Sequence, residues 1–346
     1  MCMSKGGGKP KLLIAMRSEL PQGFFGAREW ARLNAVTDIV DGFPYTDFDT
    51  EKGRRALAEA DILLAAWGTP SLTKERLARA PNLKMLAYAA SSVRVVAPAE
   101  FWDNSNILVT TAAPAMAAPV AEFTYAAIIM CSKDVFRLRD EHRAERGTGG
   151  FGSRRGMNLP WLGSYSRKVG IVGASRIGRL VIDMLTRGRF EIGVYDPFLS
   201  AVEATELGST KMELHTLLAW SDIVSLHAPI LPQTRHMIGA QGLALMADHT
   251  VFINTARGWL VDHEALLSEA RSGRLRILID TPEPEPLPVD SPFYDLPNVV
   301  LTPHIAGALG NELRALSDVA ITEIERFVAG LPPLYPVRKH DMERMA

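Results

Sequence analysis

Lys168-Val169-Gly170-Ile171-Val172-Gly173-Ala174-Ser175-Arg176-Ile177-Gly178 is the stretch on which the reading of the fold turns. An apolar run (Val169, Ile171, Val172) stops at Gly173, and Ile177, Leu180, Val181 and Leu185 then recur at helical spacing. The pattern predicts a strand, a tight turn and a helix N-terminus, where amide N–H groups and the helix dipole favour a pyrophosphate. Gly173 to Gly178 reads G-x-G-x-x-G with serine in place of the middle glycine. A Cβ at Ser175 holds the pyrophosphate slightly away, while its hydroxyl offers a donor in return. Arg176 at the mouth of the turn is either a phosphate contact or a solvated helix-start charge. Taken alone, the pattern is unspecific.

A dinucleotide site also needs an acidic residue about 20 positions on, at the end of the second strand, for the ribose hydroxyls. Asp196 closes Ile192-Gly193-Val194-Tyr195-Asp196-Pro197 in that place. A carboxylate there repels a 2′-phosphate and no arginine follows it, so the expected cofactor is NAD rather than NADP.

Around this stretch the 346 residues hold two alternations of strand-like and helix-like segments, and two domains are expected. The first has apolar runs at Leu12–Met16, Ile62–Trp67, Lys84–Ala89 and Ile107–Thr111, with a helix over Leu72–Ala80 capped by Ser71 or Thr73. A long helical pattern starts at Val120, marked by Pro119, and ends in charges near Arg137–Arg146. Gly147–Gly163, rich in Gly, Pro and Arg, reads as a surface connection. The second alternation has strands at Val169–Val172, Ile192–Tyr195, Ile223–Leu226, Val251–Asn254, Leu275–Ile279 and Val299–Leu301. A helix over Asp262–Ser272 stops at Gly273, and a last one runs over about Asn311–Ala329.

Composition narrows the classes of function. The chain is 47% hydrophobic and 22% charged with net charge −1, which gives no electrostatic case for nucleic acid or an anionic membrane. No run approaches the roughly 18 consecutive apolar residues of a membrane span. Met1–Pro10 lacks an apolar segment and is expected to be a loose tail rather than a secretion signal. Cys2 and Cys131 form neither a disulfide framework nor a ligand cluster, so no metal is expected and a reducing cytoplasm is. Cys131 is expected to fill core.

Asp222-Ile223-Val224-Ser225-Leu226-His227-Ala228-Pro229, Ile253-Asn254-Thr255-Ala256-Arg257-Gly258 and Leu301-Thr302-Pro303-His304-Ile305-Ala306-Gly307, with Val169–Gly173, resemble the D-isomer-specific 2-hydroxyacid dehydrogenases in order and spacing. The resemblance covers about Lys84 to Gly307. It implies a Rossmann-type parallel-sheet NAD domain, residues 120–308, inserted in a smaller flavodoxin-like α/β substrate domain, residues 1–119 and 309–346. It also implies a homodimer through the cofactor domains, with substrate bound in the cleft and closure about hinges near Val120 and Gly307.

The chemistry can be argued from the residues themselves. Reducing a 2-keto acid needs a cation for the carboxylate and carbonyl, and a proton donor at the oxygen as hydride reaches C2. Arg257 and His304 close the fourth and sixth strands of the second alternation, at the carboxyl edge where such sheets bind ligands. Glu285 follows the fifth, and a carboxylate beside an imidazole favours the imidazolium. By resemblance, Arg257, Glu285 and His304 match the family's catalytic Arg, Glu and His. The separate alternatives are a structural carboxylate partner, a loop charge and a satisfied strand-end histidine. The resemblance implies cofactor contacts at Gly173, Ser175, Arg176, Ile177, Asp196, His227, Ala228, Thr234, Thr255, Ala256, Asp280 and His304. Val120 is expected near the nicotinamide, and His236, His263 and His340 at the surface.

Two departures stand out. The family's substrate loop, Gly-x-Gly-Val-Asp, is here Ala90-Ser91-Ser92-Val93-Arg94, so the carboxylate is left to the amides of Ser91 and Ser92. Arg94 either meets a second polar group of the substrate or is a solvated charge on a rebuilt turn. Thr111-Ala112-Ala113-Pro114-Ala115-Met116 replaces Asn-Ala-Pro-Gly-Ala-Asn. Glu285, rather than Gln, argues against formate as substrate. The function expected is an NAD-dependent oxidoreductase interconverting a D-2-hydroxy acid and its 2-keto acid. The rival is an NAD(H)-sensing, corepressor-like binding protein on the same fold with little turnover.

Overall fold

The computed structural model of the chain describes residues 8–146 and 159–343. Most of the expected connection at 147–163, and the first residues of the expected tail, therefore lie outside the described residues. Thirteen strands form two sheets among the described residues. The first five are β1 (Lys11–Ala15), β2 (Asp38–Ile39), β3 (Ile62–Ala65), β4 (Met85–Tyr88) and β5 (Leu108–Thr111). Next come β6 (Lys168–Val172), β7 (Glu191–Tyr195), β8 (Thr210–Lys211), β9 (Ile223–Leu226), β10 (Val251–Asn254), β11 (Arg276–Ile279) and β12 (Val299–Leu301). The last is β13 (Pro336–Val337).

One sheet has the order β13-β5-β4-β3-β1-β2, the flavodoxin-like arrangement with one antiparallel edge strand added. The other is wholly parallel, β12-β11-β10-β9-β6-β7-β8, with the order reversing between β6 and β9 as in dinucleotide-binding sheets. The chain divides into two units, between residues 116 and 117 and again between 307 and 308.

Both sheets are buried on both faces, which is why their strands read as continuous apolar runs. Side chains alternate between layers: Leu12 and Ile14 join Leu64, Leu316, Ile321 and Ile324 on one face, and Leu13 joins Leu63, Leu86, Phe48 and Phe101 on the other. In the second unit Val169, Ile171 and Ile253 pack on Val181, Ile182 and Leu185, and Val224, Phe252 and Ile279 on Leu243 and Leu266.

The three two-residue strands were not expected, because pairs so short carry no periodic signal. The long helix also differs from expectation: it runs Ala113–Ser132, with Pro119 inside it rather than at its start. Ala is the best helix former, Pro114 sits in the first turn where its missing N–H costs nothing, and Pro119 forfeits one internal bond. By length and composition alone this helix could cross a membrane. Here Ala121, Ala127, Ile128 and Cys131 lie in a buried apolar cluster, and burial pushes the Cys131 thiol up to about 12.

The glycine turn shows why its first and third glycines are needed. Gly173 has φ +101, and a Cβ there would lie 2.7 Å from the Ala228 nitrogen. A Cβ on Gly178 would lie 2.0 Å from the Gly173 oxygen. Gly178→Ala should cost about 1–3 kcal/mol through overpacking, read as a lower urea midpoint. An unchanged midpoint would mean the turn moves aside freely.

Candidate active site

In the second unit the glycine turn is tied to the loop after β9. Gly173 donates to Tyr195 O at 2.7 Å, and His227 donates to Val172 O at 2.7 Å. Ser175 is the N-cap of helix Arg176–Thr186, yet its side chain caps nothing: Oγ donates to His227 O at 2.9 Å. The hydroxyl proton is thus directed at the protein, not held out for a pyrophosphate. Arg176 is exposed and Ile177 half-buried beside it. Asp196 follows β7, and its two carboxylate oxygens each accept one amide, from Ala174 and Phe198, both at 2.8 Å. Each oxygen retains a further lone pair for a ribose hydroxyl. A turn that leaves no room for a Cβ at Gly173 and Gly178, opening a helix beside that carboxylate, fits a dinucleotide.

His227 is buried, with Nε2 2.9 Å from Ser225 Oγ, and burial pushes its pKa down to about 3. Ala228 is buried next to it. The Thr234 hydroxyl donates within its own loop, to Pro229 O at 2.7 Å, and accepts from Leu231 N at 2.9 Å. It closes this loop rather than pointing a free proton outward.

At the end of β10 the organising side chain is Asn254, which sequence reasoning passed over. Its Oδ1 accepts from Ala256 N at 3.0 Å and its Nδ2 donates to Arg257 O at 2.9 Å. One buried amide therefore shapes the whole Thr255–Arg257 turn. The signal available was an Asn ending a strand, a residue type that bonds its own following backbone. Thr255 Oγ1 lies 2.8 Å from Thr124 Oγ1, which donates to Val120 O. Arg257 donates to Ala256 O at 2.6 Å, and no carboxylate lies within 4.0 Å of its guanidinium among the described residues. Burial pushes its pKa down, while the nearby charges of Glu285 and Asp280 act in the opposite sense. A half-buried guanidinium with no ion pair among the described residues is a strong anion receptor.

Asp280 follows β11 and is fully buried. Its Oδ1 accepts from Thr302 Oγ1 at 2.6 Å and Ile305 N at 2.8 Å, and its Oδ2 from Ala306 N at 3.0 Å. Its backbone oxygen accepts from His304 N at 3.0 Å. These bonds hold the 302–306 turn and leave His304 with φ +53, an uncommon conformation for a non-glycine residue. His304 Nδ1 meets Glu285 Oε1 at 2.7 Å with both side chains partly exposed.

His263, expected at the surface, is half-buried instead. Its Nδ1 faces Val261 O at 3.2 Å and its Nε2 accepts from Glu283 N at 3.1 Å, bracing the strand-to-Glu285 loop. It sits at the start of helix His263–Ser272, where packing on Phe293 draws it inward. His236 and His340 are exposed, as expected. In the same loop Thr281 Oγ1 and Glu283 Oε2 are buried without hydrogen-bond partners. Gly258 gives the loop its path, since a Cβ there would lie 2.6 Å from Glu283 N.

In the first unit, the amides of Ser91 and Ser92 have no acceptor among the described residues. The loop is held from beneath by Thr111, whose hydroxyl lies 2.9 Å from Ala90 O and 2.6 Å from Ser91 O. Arg94, which the sequence left open, donates to the backbone oxygen of Met342. No group of His, Cys, Asp or Glu suited to a metal occurs among the described residues.

Fold and site together define a two-unit α/β protein with a dinucleotide-binding sheet and an Arg–Glu–His constellation at its carboxyl edge. Residues 125–306 match the NAD-binding domain of the D-isomer specific 2-hydroxyacid dehydrogenases, and the chain belongs to that family. It is 30% identical over 303 residues to glyoxylate/hydroxypyruvate reductase B of Pectobacterium atrosepticum, covering 86% of this chain and 88% of the relative. It is 28% identical to D-3-phosphoglycerate dehydrogenase of Methanocaldococcus jannaschii over 82% of this chain, and spans only about half (53%) of that enzyme. A phosphoglycerate oxidoreductase from Rhizobium etli superposes with a TM-score of 0.74 at 26% identity, covering 95% of this chain and 98% of the other.

Two outcomes follow from this geometry. Between about pH 6.5 and 3 the unfolded chain protonates His227 and the folded chain does not, so stability falls on acidification, by up to about 1.4 kcal/mol per pH unit. His227→Gln should flatten urea stability measured from neutral pH down to about pH 4.5; an identical slope would assign the acid sensitivity elsewhere. Ser175→Gly should leave NADH affinity equal or tighter by fluorescence titration, because the lost hydroxyl serves His227 O. Marked weakening would give Ser175 a direct role in holding the pyrophosphate.

Proposed function

We propose that this protein is an NAD-dependent oxidoreductase interconverting a D-2-hydroxy acid and its 2-keto acid. The observation that carries the reading is the His304–Glu285 contact, on a turn clamped by a buried aspartate, beside a half-buried arginine with no carboxylate within 4.0 Å among the described residues. Gly173, Ala174 and the N-terminus of helix Arg176–Thr186 would hold the cofactor's pyrophosphate, and Asp196 its ribose. When bound, NAD(H) supplies or takes the hydride at C2.

This chain's own residues account for the remainder. Arg257 binds the carboxylate and polarises the carbonyl oxygen, its attraction for the anion strengthened by partial burial. In the first unit, the Ser91 and Ser92 amides stand where the family's pattern has its carboxylate donors. Glu285 accepts from Nδ1 of His304, which fixes the ring. Nε2 then gives its proton to the carbonyl oxygen in reduction and takes it from the hydroxyl in oxidation. The names of the relatives point the choice of substrate toward glyoxylate, hydroxypyruvate or 3-phosphoglycerate.

The test is a panel of 2-keto acids with NADH, including glyoxylate and hydroxypyruvate, together with oxidation of D-3-phosphoglycerate by NAD. Turnover of at least one member is expected. Arg257→Ala should lower kcat/KM by about 10²–10³-fold and His304→Gln should lower kcat by roughly 10²–10⁴-fold, both with NADH binding retained. No turnover of any member with tight NADH binding retained would replace this reading with a nucleotide-sensing one. Near-normal activity of Arg257→Ala would overturn the mechanism.

A further inference from the structure

Residues 334–342, near the end of the described chain, touch both Thr111, beneath the Ser91–Ser92 loop, and Arg94, beside it. Glu323, buried in helix Leu313–Val328, anchors the start of this segment: its Oε1 accepts from Leu334 N at 2.9 Å and Tyr335 N at 2.7 Å. Tyr335 O in turn accepts from the backbone N–H of Thr111 at 3.2 Å, the residue whose hydroxyl carries Ala90 O and Ser91 O. β13 then pairs with β5, matching Pro336 with Thr110 and Val337 with Val109. Past β13, Lys339 meets Asp103, and Met342 packs on the apolar cluster that includes Val93. Met342 O closes the path by accepting from the Arg94 guanidinium.

We propose that residues 334–342 are a strap that positions the substrate-carboxylate loop, with Arg94 as its latch. The strap acts through the loop: it fixes the direction of the Ser91 and Ser92 amides, so that less order has to be imposed when a carboxylate binds. Arg94 is a positioning residue and makes no substrate contact. This inference rests on the reading of those two amides as carboxylate donors.

Kinetics and backbone exchange on the full chain test it. Arg94→Ala should raise KM for monocarboxylic and dicarboxylic 2-keto acids equally, by about 3- to 10-fold, with kcat and NADH affinity little changed. Arg94→Lys, which can still donate to Met342 O, should restore most of the loss. Removal of the residues after Val337 should reproduce the KM shift, and Arg94→Ala added to that truncation should contribute nothing more. Amide hydrogen exchange in the peptide around Ser91 should accelerate in Arg94→Ala and in the truncated chain. A larger effect on dicarboxylic substrates would make Arg94 a substrate contact and overturn the strap, as would unchanged exchange. Ser92→Pro removes one donor amide and separates the two ways of failing. A KM that ignores Ser92→Pro sinks the loop reading itself; a KM that responds to it but not to Arg94→Ala sinks the strap alone.

Discussion

The buried carboxylate of Asp280 is the contact on which the candidate site depends. An ionised carboxylate away from water is costly unless its lone pairs are occupied. Here the occupants are a hydroxyl and two amides of the 302–306 turn, while the same residue's backbone accepts from His304 N. The burial that would destabilise the acid is thereby converted into a geometric constraint on the turn. Holding His304 at positive φ costs on the order of 1–3 kcal/mol, which persists only when the surroundings over-determine it. Four bonds to one residue do so. In this conformation the imidazole at the strand edge meets Glu285 Oε1 at 2.7 Å.

The path of the Glu285 loop is the second constraint. It leaves β11 with its backbone pressed on Gly258, where any Cβ would collide with Glu283. Gly258 follows Arg257 directly, so the glycine that admits the loop lies next to the guanidinium-bearing residue. His263 braces the other side by accepting from Glu283 N. Arg257, Glu285 and His304 are far apart in the chain, yet three small determinants (Asp280, Gly258 and His263) settle their relation.

Much of this was legible in the sequence. The long parallel strands announced themselves because burial on both faces demands uninterrupted apolar runs, and the glycine turn because two of its positions admit no Cβ. Strand-end residues such as Arg257 and His304 could be ranked by position alone, since open parallel sheets bind at that edge. What stayed hidden follows a physical pattern. The start of helix Ala113–Ser132 was missed because an alanine-rich stretch has propensity without periodicity, and Pro119 looked like a beginning. His263 was misplaced because its burial comes from partners 20 and 30 residues on, Glu283 and Phe293, which no local pattern encodes. Asn254, Thr111 and Ser175 act through side-chain bonds to backbone, and residue type alone does not say which backbone group they find.

The departures from the family's pattern in the first unit make sense as one change rather than two. Replacing both glycines of the substrate loop by Ala90 and Ser92 removes backbone freedom, and an isolated loop so altered would be stiffer without being correctly aimed. Thr111 supplies the aim: its short hydroxyl reaches Ala90 O and Ser91 O and accepts from Ala113 N at 3.2 Å. One atom thereby binds the end of β5, the loop after β4 and the first turn of the long helix. The carbonyls are turned down onto Thr111, so the amides of Ser91 and Ser92 remain without internal acceptors among the described residues. A flexible glycine loop orders its amides as the anion arrives; a loop already held has less conformational entropy to lose at that moment. In the proposed reading the two amides are already aimed, because Thr111 at the end of the neighbouring strand takes both carbonyls.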